Sequence, residues 1–138
     1  MPIRTAGPQT LAEARGKVVL VDFWATFCKP CKELLREYQR WAEQLDGQLV
    51  VIAVSVDEPD DVTQERLQAF VDDLGLTFSV VWDRSQQTVA RYDPPSMPTS
   101  YLVDTRGVLR QVYPGGTPDE VRRLREDAEA LLRQPATR

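Results

Sequence analysis

Histidine is absent from this sequence, and cysteine occurs only twice in 138 residues. Zinc needs about four imidazole or thiolate ligands, so a metal could be held only with carboxylates or a second chain completing the shell. The expectation is therefore no metal and no bound cofactor beyond what the cysteines themselves provide. Long apolar runs are missing too. The opening MPIRTAGPQTLAEARGK holds no apolar signal core, and no later stretch approaches the ~20 residues of a membrane span, so the chain as written is expected to make no membrane contact. Positive charge is in deficit, with 17 Lys and Arg against 21 Asp and Glu, which removes the basic face that a phosphate backbone requires. Nucleic acid is not an expected partner. Repeats, low-complexity tracts and linker-like segments are likewise lacking. The composition that remains, 42% hydrophobic and 28% charged, is that of an ordinary globular chain. Residues 1–138 are expected to form one domain that buries roughly two-thirds of its unfolded surface.

The apolar pattern gives an alternating α/β order. VVLVDFWA, residues 18–25, is near-continuously apolar and fits a central strand buried on both faces, with Asp22 as its one polar member. From Pro30 onward Cys31, Leu34, Leu35, Tyr38, Trp41, Ala42 and Leu45 recur at helical spacing until Gly47 supplies a stop. LVVIAVSV, residues 49–56, is a second apolar strand, so a right-handed parallel crossover is expected. Asp61 and Gln64 have capping-box spacing before a helix that ends at Gly75, and a strand over residues 77–82 follows. Asp83 and Gln86 repeat that spacing before a short helix over residues 85–92. SYLVD, TRG and VLRQVY read as an antiparallel hairpin. Thr117, Pro118 and Glu120 open a last helix with Val121, Leu124, Ala128, Leu131 and Leu132 inward, and residues 134–138 are expected to fray.

The cysteines stand three apart in FWATFCKPCKELL, residues 23–35. Three uses compete. A structural disulfide across so short a loop removes little chain entropy, about 2 kcal/mol against nearly 5 for a long loop. A metal lacks ligands. A redox couple is the third, for which C-x-x-C beside a strand-helix-strand unit is the sequence signal. Cys28 falls where the helix begins, facing unpaired amides and the positive end of the peptide dipole, with Lys29 and Lys32 adding cationic charge. Its thiolate should be stabilised and its pKa lowered, making it the accessible, attacking sulfur. Cys31, a turn further in on the apolar stripe, should resolve the mixed disulfide, and Pro30 stiffens the first turn, where amides are to spare.

VVLVDFWATFCKPCK resembles the active-site segment of thioredoxins. With GKVVLVDFWAT before the cysteines, VVIAVSVDE after the first helix and SMPTSYLVDTRGVL further on, most of the chain is similar in the same order to thiol-disulfide oxidoreductases of the TlpA and ResA type. The resemblance implies a thioredoxin-like fold, a central mixed β-sheet flanked by helices, with a helix-strand insertion before a cis-proline motif. It implies a redox-active Cys28–Cys31 disulfide as the only prosthetic element, and protein thiol or disulfide substrates. It further implies an electron-donating reductase as partner, a monomer, and a place in the cell envelope, with the cytoplasm as the alternative. The extra amino-terminal hairpin and anchor of many such proteins are not represented. Phe27 stands where those proteins usually have tryptophan, keeping an apolar wall without the indole donor.

Asp22 matches the acid that in thioredoxin assists proton transfer to and from the buried cysteine. Burial should raise its pKa, and the alternative is an aspartate turned outward at a strand end. Pro98 matches the cis-proline, so the Met97 backbone is expected to offer an extended substrate main-chain hydrogen bonds, with Phe27, Pro98 and Thr99 alongside. A rigid loop proline, in a run already containing Pro94 and Pro95, is the other reading. Thr99 stands where the proteins dedicated to cytochrome c maturation often carry glutamate, which weakens a specific assignment to that pathway. Lys29 and Trp24 are expected to tune the couple, although Trp24 and Trp41 also read as packing groups. Two other functions share the fold. Peroxide reduction in its typical form needs a threonine three residues before the reactive cysteine, where this chain has Ala25. A non-catalytic binding module would leave the thiols incidental. If Lys29 stabilises the thiolate, Lys29→Glu will raise the Cys28 pKa and lower the reduction potential; superimposable thiolate-absorbance titrations of the two proteins would refute this.

Overall fold

The computed structural model describes residues 1–4 and 7–134. Six strands and four helices follow one another as β1 (Pro2–Arg4), β2 (Val18–Trp24), α1 (Lys29–Gln44), β3 (Leu49–Ser55), α2 (Gln64–Leu74), β4 (Ser79–Trp82), α3 (Gln87–Tyr92), β5 (Thr99–Val103), β6 (Leu109–Pro114) and α4 (Pro118–Leu132). They form one mixed sheet in the order β1-β4-β3-β2-β5-β6. β2, β3 and β4 run parallel, while β5 is antiparallel to β2, β6 to β5 and β1 to β4. This is the α/β arrangement expected, with α2 and β4 as the helix-strand insertion. All seven residues of β2 are buried, as its unbroken apolar run requires of a strand covered on both faces.

Residues of one parity along β2 meet α1 and α2: Asp22 reaches Tyr38 of α1 through Ser100, and Trp24 stacks on Phe70 of α2. Phe23, of the other parity, packs against Tyr92 of α3. Tyr113 of β6 donates to Asp127 of α4. Helices α1, α2 and α4 thus cover one face, and the short α3 lies on the other. α1 buries Cys31, Leu34, Leu35, Tyr38 and Trp41, each large apolar side chain contributing on the order of 2 kcal/mol. Gly75 ends α2 at φ 66°, a left-handed position that glycine takes without a Cβ penalty.

Three local expectations change. β1 was not legible as a strand; it is three residues long and is held to β4 by pairing that continues to the Met1 carbonyl, which accepts from the Trp82 amide. The cap of α2 is Thr63, whose hydroxyl accepts from the Arg66 amide at 3.2 Å, in place of Asp61. Gln86 does not act in a capping box. Its backbone is left-handed at φ 65°, and its amide nitrogen donates to the carbonyls of Val56, Asp57 and Asp83. Tertiary bonds to the end of β3 outweigh the local motif there. Asp83 does serve α3, accepting from the amides of Thr88 and Val89. Thr117 caps α4 through the Glu120 amide as expected, while Glu120 Oε2 is buried without a partner, so only half of that box closes. The expected fraying at 135–138 lies outside the described residues. Replacing Thr63 by alanine should cost about 1 kcal/mol of unfolding free energy and Asp61→Ala less than about 0.5, measured by denaturant titration.

Candidate active site

The two cysteines close a disulfide at the start of α1, with their Cα atoms 5.3 Å apart. Cys28 is itself the N-cap: its backbone is extended, and Sγ accepts the Cys31 amide at 3.3 Å. Pro30 falls in the first turn, which contains no acidic residue, so no carboxylate competes with sulfur for the positive helix end. Helix α4 shows the contrast, with Asp119 and Glu120 in its first turn. Cys31 is 0% exposed and Cys28 8%. The order is the one expected, but Cys28 is less open than anticipated, because its sulfur turns inward to cap the helix. Lys29 is exposed. Lys32 lies 5.6 Å over the Phe70 ring, which in turn stacks on buried Trp24 at 5.3 Å.

Phe27 stands 73% exposed immediately before Cys28. It is an apolar surface beside the sulfur more than an enclosing wall. The turn that carries it is held from behind by Asp57, a buried carboxylate at the end of β3. Asp57 accepts from the Thr26 amide (3.1 Å to both oxygens), the Thr26 hydroxyl (2.7 Å) and the Ser55 hydroxyl (2.6 Å). Nothing in the residue order marks Asp57 as acting on the cysteine turn; only its place in the VSVDE segment sets it apart.

Asp22 is fully buried, which removes the outward-facing alternative. Its partner in β5 is Ser100, directly opposite in the register, whose hydroxyl donates to Oδ1 at 3.0 Å; Oδ2 is buried without a partner. Desolvation drives its pKa well above the ordinary carboxylate value, and the Ser100 bond offsets this only in part. Tyr38 Oη lies 2.6 Å from Ser100 Oγ. Neither Ser100 nor Tyr38 could be singled out as polar partners without the register, although Tyr38 was legible on the inward stripe of α1.

The Met97–Pro98 peptide bond is cis. This loop is brought to α1 by Gly116, whose Cβ position would lie 3.6 Å from Pro98 Cγ and 3.7 Å from Leu34 Cδ2. Pro98 is buried and Met97 half-buried. Among the described residues the Met97 amide and carbonyl take no hydrogen-bond partner, whereas the Pro98 carbonyl accepts from Gly115 at 2.7 Å. Thr99 corrects the expectation of a substrate contact: it is 0% exposed, and its hydroxyl donates to the Ser96 carbonyl at 2.7 Å, bracing the loop from inside. A groove of about 730 Å³ opens beside Pro30, between α1 and α4, floored by Leu34, Trp41 and Val121. No group of acids and cysteines among the described residues is arranged to hold a metal ion, and no helix among them is long and apolar enough to cross a membrane.

The family model described as AhpC/TSA matches residues 3–112. Among curated proteins, thioredoxin-like protein YneN of Bacillus subtilis is 33% identical over 106 residues, covering 77% of this chain and 61% of that protein. Thiol-disulfide oxidoreductase ResA of Geobacillus kaustophilus is 33% identical over 112 residues, covering 76% and 59%. The chain spans about three-fifths of the length of these relatives. Among solved structures, a thiol-disulfide isomerase from Corynebacterium glutamicum superposes with a TM-score of 0.84 at 28% identity, over 98% of this chain and 92% of that one. The fold is thioredoxin-like.

The raised pKa of Asp22 has a consequence for stability. Unfolded, the carboxyl titrates near 3.9; folded, it holds its proton to higher pH. The native state therefore carries the extra proton between the two values. The stabilisation is complete below the unfolded pKa and is lost as pH rises through the folded one. Asp22→Asn, with no charge to bury, should unfold at a higher denaturant concentration than the parent at pH 8 and at the same concentration at pH 4. A gap that is independent of pH would contradict the assignment.

Proposed function

The chain belongs to the AhpC/TSA family, and from the geometry of its cysteine pair and the names of its relatives we propose that it is a thiol-disulfide oxidoreductase that exchanges disulfides with other proteins through Cys28 and Cys31. The observation that carries this reading is the disulfide at the mouth of α1, with Cys28 Sγ as the helix cap and Cys31 sealed behind it. The relatives' names and the order of motifs support the same chemistry.

In the reducing direction, the Cys28 thiolate is stabilised by the Cys31 amide and the helix end. It attacks one sulfur of a substrate disulfide, forming a mixed disulfide while the other substrate sulfur leaves as thiolate. The Cys31 thiol gives its proton to the ionised Asp22. The resulting thiolate attacks Cys28 Sγ, the Cys28–substrate bond breaks, and the second substrate sulfur departs with its electron pair. The Cys28–Cys31 disulfide is left for an electron-donating dithiol partner to reduce. Asp22 suits the acceptor role because burial gives it high proton affinity and leaves Oδ2 free. The unpaired main chain of Met97 can receive an extended segment of the substrate in strand-like fashion, with exposed Phe27 as an apolar contact on the other side of the sulfur. Lys29, exposed in the first turn of α1, adds to the field that favours the thiolate. A cell-envelope site of action, on a monomer, fits the resemblance to the TlpA and ResA type.

The peroxide-reducing alternative is disfavoured by the wall before the reactive sulfur. Ala25 is fully buried and has no hydroxyl, and the Thr26 hydroxyl is committed to Asp57. Reduction of insulin disulfides and equilibration with glutathione test the reading: Cys28→Ser should abolish turnover, and Cys31→Ser should accumulate a covalent, dithiothreitol-releasable adduct with client proteins. Full turnover by the Cys28→Ser protein, or a redox-inert wild type, would refute it.

A further inference from the structure

Three polar side chains from three different elements form a hydrogen-bonded chain on the face of the sheet that α1 covers. Tyr38 on α1, Ser100 on β5 and Asp22 on β2 are each buried to 1% exposure or less. Their oxygens are separated by 2.6 Å and 3.0 Å. The direction of the bonds follows from the proton inventory. In the ionised state that resolution of the mixed disulfide uses, the carboxylate can only accept, so the single Ser100 proton goes to Asp22 Oδ1, and the Tyr38 hydroxyl must then be the donor to Ser100. The chain runs Tyr38 to Ser100 to Asp22, each bond polarising the next. It occupies one carboxyl oxygen and leaves the other, Oδ2, buried and unpartnered.

Burying three polar groups is costly unless they serve one another, and a fully apolar trio would pack as well. Tyr38 is also locked in place. It follows Cys31 by two turns on the inward stripe of α1, and its ring packs 5.0 Å from Trp41. The helix that carries the resolving sulfur therefore also carries the far end of the chain holding the acid.

We propose that Ser100 and Tyr38 are positioning residues for Asp22: their hydroxyl chain pins Oδ1 and presents Oδ2 as the one oxygen that takes the proton from Cys31 during resolution of the mixed disulfide. This rests on the oxidoreductase reading above and deepens it. The titratable groups that bear on the chain from neighbouring elements are Tyr113 on β6 and Glu120 on α4, both acting on Tyr38 through their charge. Burial holds the Tyr38 hydroxyl protonated far above its ordinary range, so it stays a donor throughout the pH range in which thiols exchange. Loss of the Ser100 donor removes the one hydrogen bond that favours the ionised acid, and Asp22 then keeps its proton to higher pH.

The test uses the reduced chain of residues 1–138 and the small disulfide dithionitrobenzoate in stopped flow. The first coloured thiolate released reports attack by Cys28, and the second reports resolution by Cys31. Ser100→Ala should slow the second release about three- to tenfold at pH 7 and move its pH midpoint upward, with the first release unaltered. Tyr38→Phe should shift the midpoint the same way by less, and Ser100→Thr, which restores a hydroxyl, should return it towards wild type. Superimposable second-step profiles for wild type, Ser100→Ala and Tyr38→Phe, in a protein where Asp22→Asn does slow that step, overturn the positioning chain alone. If Asp22→Asn also leaves the step unchanged, the proton-acceptor role of Asp22 falls with it, while intact attack by Cys28 would still uphold the redox assignment.

Discussion

The first turn of α1 hangs on a sulfur atom. Helix caps are ordinarily oxygens of serine, threonine, aspartate or asparagine, which satisfy an amide that would otherwise face solvent unpaired. Here Cys28 Sγ takes that place, and its capacity to accept depends on its charge: a thiolate accepts strongly, a neutral thiol weakly. Folding and redox state are thereby coupled in one bond. Whatever makes α1 a good helix also favours the ionised sulfur, and the absence of acids from its first turn leaves that preference uncontested.

Two buried carboxylates flank this arrangement and illustrate two ways of keeping an acid inside a protein. Asp57 is saturated, its oxygens taken by the Thr26 amide and hydroxyl and by Ser55, and it works as a clamp on the turn before Cys28. Asp22 receives a single hydrogen bond and is left with a bare oxygen. The first carboxylate has both oxygens engaged by the turn and strand end that it joins. The second is poised to change protonation state, which is what separates a structural acid from a chemical one in otherwise similar surroundings.

Much of this was readable from residue order. The apolar run of residues 18–25 and the helical spacing from Pro30 to Leu45 specify the strand and helix that set the two sulfurs, because core burial imposes those periods directly. The capping of α4 by Thr117 was equally local. What escaped depends on contacts across the sheet. Ser100 is unremarkable in SYLVD until the antiparallel register sets it opposite Asp22, and Thr99 next to it looks accessible until the loop folds its hydroxyl onto Ser96. Gln86 had the spacing of a capping residue, yet carbonyls at the end of β3 claimed its side chain. β1, at three residues, is too short to carry a periodic signal of its own, and it exists because β4 offers it a partner.

Both borders of the sheet are poor hosts for a foreign strand. On one side β1 is brief and starts with a proline; on the other β6 projects Arg110 and finishes at Pro114, where the ladder loses a donor. An exposed edge strand with unpaired amides and carbonyls is a template on which another chain can add. With those margins blunted, the unpaired main chain of Met97 stands out, in a loop whose Pro98 lies with Leu34 of the sulfur-bearing helix against Gly116. On the proposed function, a polypeptide docked there would bring its disulfide to Cys28 without being recruited into a growing sheet.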